Sequence, residues 1–133
     1  MAEEEAQTGM ELLTALIQDS QSEYEQLQKE LKEIDVLIRQ SATEVEKLTQ
    51  RNSQMGNRVR QMEMNLDTYP RSDIREIYLA AHEIQMRLFM MRGQLEQLQN
   101  RQQSLEQQSQ YLARLIDILS QITPSAIVPH LNR

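Results

Sequence analysis

Leu66-Asp67-Thr68-Tyr69-Pro70-Arg71-Ser72-Asp73 decides how this chain folds, because it interrupts a pattern that otherwise reads as helix on both sides. Pro70 has no N–H to give to a helix and clashes with the turn before it, and it drives Tyr69 out of the helical region. A long first helix therefore stops near Thr68. Ser72 or Asp73 can cap a new helix, whose apolar pattern resumes at Ile74, Ile77 and Tyr78. The interruption has the length of a tight connection between antiparallel helices, and Tyr69 and Pro70 mark its turn.

Working backward from the turn, a seven-residue register can be followed to Met10. Its a positions are Met10, Ile17, Tyr24, Leu31, Ile38, Val45, Asn52, Val59 and Leu66, and its d positions are Leu13, Ser20, Leu27, Ile34, Ser41, Leu48, Met55, Met62 and Tyr69. Sustained heptads separated by charged and amide residues specify a coiled coil or a bundle built like one. Working forward, a second register has Ile74, Ala81, Leu88, Leu95, Gln102, Ser109 and Ile116 at a, with Ile77, Ile84, Met91, Leu98, Leu105, Leu112 and Leu119 at d. The first register, continued, would reach its next a position at Asp73, one residue early. One residue is about 100° of helix, more than a smooth supercoil absorbs, so the phase break agrees with the proline.

These patterns predict an all-α fold: a long two-helix antiparallel coiled-coil hairpin that dimerises into a four-helix bundle. The expected divisions are an acidic disordered tail over 1–9, a coiled-coil domain over 10–122 (helix 10–67, turn 68–72, helix 73–122), and a linker over 123–133 begun by Thr123 and Pro124. Folding about Pro70 brings Leu27 level with Leu112 and Leu48 level with Met91, with Met10 to Ile17 overhanging the second arm. The competing architecture is an extended parallel rod kinked at Pro70, about 160 Å long against about 80 Å for the hairpin.

Composition narrows the function. Among 133 residues there are one Phe, no Trp and three Gly, so two helices bury a seam rather than a thick core and self-association is the expected remedy. The net charge of -6 and the absence of a basic stripe with interleaved aromatics argue against nucleic acid. No cysteine is present, no apolar run is long enough for a membrane, and the acidic start is unlike a signal peptide, which together read as a cytoplasmic protein without disulfides.

Chemistry-bearing constellations are sparse. There is no glycine-rich phosphate loop; Gly56 and Gly93 are isolated in helical pattern. His82 falls at a b position and reads as a surface histidine, His130 stands in the tail without a companion, and no Glu-x-x-His spacing exists. No catalytic residue, cofactor or metal is assigned. What remains are polar residues in the seam: Asn52, Gln102 and Ser109, with Ser20 and Ser41. Buried polar groups there trade stability for register or leave a layer able to switch, although imperfection tolerated in a long repeat is the plainer reading. Met86, Phe89 and Met90 fall outside a and d, which gives the second arm an extra apolar face for a dimer partner or an adaptable binding partner. Met55, Met62 and Met64 are expected to fill the facing part of the first arm.

The second arm also carries a family resemblance. Asp73-Ile74-Arg75-Glu76-Ile77-Tyr78, then Ala81, Gln85, Leu88, Arg92, Glu96, Leu98, Arg101, Leu105 and Glu106, resemble the amino-terminal sensor domain of DegS-type cytoplasmic histidine kinases, and Glu23-Tyr24-Glu25-Gln26-Leu27-Gln28-Lys29-Glu30-Leu31 is similar to that family's opening helix. Gln102, Gln103, Gln107, Gln108 and Gln110 make this second arm richer in amides than the family pattern. The resemblance implies a non-catalytic input domain of a two-component system, a homodimer that passes a cytoplasmic signal to a carboxy-terminal kinase module and through it to a response regulator. The phosphoacceptor motif and ATP-binding domain of such kinases are not found in this stretch. The alternative is a structural or scaffolding coiled coil with no kinase partner.

Overall fold

A computed structural model describes residues 2–122. The chain forms α1 over Ala2–Met64, a short 3-10 turn over Leu66–Thr68 and α2 over Arg71–Ile122, with no strand among the described residues. The two helices pack antiparallel, so the hairpin is the architecture and the extended rod is not. The expected linker over 123–133 lies outside the described residues.

The turn is built differently from the sequence expectation. α1 ends at Met64, three residues before the expected stop, because Asn65 folds back: its side-chain amide donates to the Gln61 carbonyl (3.2 Å) and its own carbonyl accepts from both the Thr68 amide (3.0 Å) and the Thr68 hydroxyl (2.8 Å). Tyr69 then takes the extended conformation (φ -106°, ψ 133°) that a following proline demands. Neither Ser72 nor Asp73 caps α2. The Pro70 carbonyl accepts from the Asp73 and Ile74 amides, both at 3.1 Å, so the helix starts at Arg71 and uses proline where no N–H is needed. Asp73 still sits in the first turn, where a carboxylate complements the helix dipole.

At the other end α1 begins at Ala2, so the acidic opening expected to be a disordered tail is helical. Glu3, Glu4 and Glu5 occupy its first turn, the place where negative charge stabilises a helix. These residues bury nothing.

The structure falls into two units. One joins residues 2–34 to 101–122, and the other is the continuous stretch 35–100. In the first unit Ile17 is wholly buried against Leu119, with Leu13 and Leu115 packed around them. The expected overhang of Met10 to Ile17 is too long: the last turns of α2 cover Ile17 and Leu13, while Met10 stays exposed. Leu27 and Leu112 line one groove, as the folded-back register requires. In the second unit Met62, Ile77 and Leu88 are buried, while the α1 seam positions from Ile38 to Val59 are half-buried. Met64 is 82% exposed and fills no seam, since it lies where α1 ends.

Candidate functional site

A heptad seam makes a site by the few positions at which it is polar. Ser109, at an a position of α2, is buried and accepts a hydrogen bond from the Gln28 side-chain amide of α1. Gln28 occupies an e position, immediately beside the seam, and its long side chain reaches a hydroxyl that would otherwise be desolvated without a partner. Reading a and d alone missed it; the signal was an amide flanking the seam at the level of a seam serine. Ser20 is buried in the same unit, and Gln102 is half-buried. Among the described residues no buried side-chain polar atom lacks a hydrogen-bond partner.

Asn52 stands apart from Gln102 and Ser109, in the other unit. It is half-buried and lines a shallow groove with Gly56, Val59, Glu63, Ala81, His82 and Gln85. Gly56 and Ala81 are small, so the helices leave a notch rather than a filled layer. At its tip-proximal end the Tyr78 hydroxyl donates to a Glu63 carboxylate oxygen at 3.0 Å. That hydrogen bond raises the Tyr78 pKa above its ordinary value, and desolvation and the Glu63 charge push in the same direction. His82 is exposed on the rim of the groove.

Met86, Phe89 and Met90 are all exposed, Phe89 by 74%, and Leu79 continues their stripe along α2. They lie at f, b, c and f of the second register, turned away from α1 within their own unit. Tyr69 and Pro70 line the turn, and a small groove brings Tyr69 beside Arg58, Asp73 and Ile77. No group of three histidine or acidic side chains able to hold a metal occurs among the described residues. No helix of the described residues is long and apolar enough to cross a membrane.

The described residues form an antiparallel helical pair with polar seam positions, which places them in the class of coiled-coil hairpins. Comparison with known proteins gives the family. The family model described as "Sensor protein DegS" matches residues 4–123, and the chain belongs to that family. The chain is also 29% identical over 120 residues to the signal transduction histidine-protein kinase/phosphatase DegS of Bacillus subtilis (strain 168), covering 87% of this chain and 31% of that protein. It thus spans about a third of the curated relative it matches. No solved structure matches.

Proposed function

We propose that this chain is the non-catalytic signal-input module of a two-component sensor histidine kinase, working in the cytoplasm as a homodimer. The observation that carries the reading is the match of the sensor family to almost the whole hairpin, joined to a seam that is closed at some layers and half-open at others. The partners implied are a kinase module that follows α2 and, through it, a response regulator.

The mechanism follows from the seam. A layer of well-packed apolar side chains has one favoured arrangement, whereas a polar layer can exchange one hydrogen bond for another or for water at small cost. Asn52, Gln102 and Ser109 are such layers. A signal that binds one packing of the seam better than another shifts the population between them. Because interdigitated helices repack in steps rather than deform continuously, a small bias is delivered as a rotation or shift of α2. The exit is the last stretch of α2, from Tyr111 to Ile122.

The test is a chimera in which this chain replaces the matched segment of the Bacillus subtilis kinase. A functional input module supports phosphate incorporation by the attached catalytic portion and sets its level. A scaffold coiled coil of equal length leaves that level unaltered when its seam is changed, and such indifference would sink the proposal.

A further inference from the structure

The unit formed by residues 2–34 and 101–122 has two unlike sides. In an antiparallel pair the e and b positions of both helices share one side of the seam, and the g and c positions share the other. The e and b side has no large apolar residue, only Ala113 among polar residues such as Glu11, Gln18, Glu25, Gln110 and Asp117. The g and c side carries Leu12, Leu16, Tyr111, Leu115, Ile118 and Ile122, of which all but the half-buried Leu115 are exposed, Ile118 by 57% and Ile122 by 65%. Both helices contribute, so this is a face and not a stray residue.

On α2 the spacing Tyr111, Leu115, Ile118, Ile122 runs four, three, four, a second heptad stripe beside the one that holds α1. Such a stripe is covered by another helix running along it, and the helix whose spacing matches by construction is the same stretch of a second copy. Charge agrees. The Ile17–Leu119 and Gln28–Ser109 contacts set the pairing of α1 with α2, and between them Arg114 falls level with Glu23. Arg114, at f, borders the face on α2, and Glu23, at g, lies on it on α1. Two copies related by a twofold axis along the helices place the Arg114 of each at the level of the other's Glu23, so the acid on the face of one copy has a cation of the other at the rim beside it.

We infer that this g and c face is the dimer interface, with two copies parallel and their α2 ends side by side. The inference deepens the homodimer in the proposed function and rests on it. It assigns the contact to the end of α2 and leaves Met86, Phe89 and Met90, which lie on the back of a single helix, outside the interface.

The chain contains no cysteine, so one introduced thiol is the only one present. Ile118→Cys and, as the comparison, Phe89→Cys are exchanged into otherwise unchanged chains, oxidised mildly and resolved under non-reducing conditions, with light scattering giving the mass of the parent chain. A dimeric parent with Ile118→Cys linked and Phe89→Cys unlinked is the expected result. A dimeric parent with only Phe89→Cys linked, or with neither linked, keeps the dimer and overturns this face. A monomeric parent at all concentrations overturns the dimer and the face together. Separately, Ile118→Glu combined with Ile122→Glu weakens dimerisation about tenfold or more while helicity is retained, since both sites are exposed in the single chain.

Discussion

In the unit of residues 2–34 and 101–122, Ile17, Ser20, Ile34, Leu105, Ser109, Leu112 and Leu119 are buried; in the stretch 35–100, only Met62, Ile77 and Leu88 are. Both are built from the same seven-residue repeat, so the repeat alone does not decide how well a seam closes. What differs is the filling. The first unit sets branched aliphatic residues against one another and satisfies Ser109 with Gln28. The second sets Asn52, Gly56 and Ala81 along one groove, a notch that the two helices leave unfilled. The better-closed unit contains the end of α2, and the looser one contains Asn52.

Substitutions that break this contrast are ranked by the volume they remove. Ile17→Ala should cost about 3 kcal/mol, the usual loss for a fully buried aliphatic side chain, whereas Val45→Ala in the half-open seam should cost about 1 kcal/mol. Denaturant titration followed by circular dichroism compares them, and equal losses would mean the two seams are closed alike. In the opposite direction, Asn52→Leu should stabilise the chain by about 1 kcal/mol or more, since it replaces a polar seam residue by the apolar one the repeat prefers. A loss of stability on the same titration would show that Asn52 is a structural keystone and not a loose layer.

The glycines sharpen the comparison with a smaller effect. A methyl group added at Gly56 or Gly93 meets nothing within 4 Å. Gly56→Ala and Gly93→Ala should therefore each gain about 0.5–1 kcal/mol from helix propensity, and any loss would reveal a close approach by a second copy, as the proposed dimer would allow. The smallest effect is expected at Tyr78. Its raised pKa means that the Glu63 hydrogen bond favours the folded state below the phenol's ordinary titration range and stops doing so as pH rises through the folded pKa. Ultraviolet titration should find Tyr78 ionising at lower pH in Glu63→Ala than in the parent.

Much of this was legible in the sequence. The register, the hairpin and the phase break follow from apolar spacing and one proline, because burying a stripe and removing an N–H are local demands. Nearly every a and d residue is covered, with Met10 and Leu66 the exceptions at the ends of the register. The detail of the turn was not legible, since Asn65 and Thr68 compete with the helix through side-chain bonds that propensity does not reveal. Nor was the Gln28–Ser109 bond, because a heptad assignment says which residues face inward and not which neighbour reaches in. The stripe from Tyr111 to Ile122 is harder to see for a related reason: once a and d account for a helix, apolar residues at c and g look like surplus, and only the antiparallel pairing of the two helices joins them into one side.

In the proposed function the packing of the polar seam sets the output of an attached kinase. Phosphate incorporation by the chimera with the Bacillus subtilis catalytic portion, compared between the parent seam and Asn52→Leu, tests it most directly. Filling that layer should hold the seam in one packing and move the level of phosphorylation several-fold, with helicity and dimer mass unchanged. An identical level from both seams would contradict the account and leave the hairpin as a passive spacer.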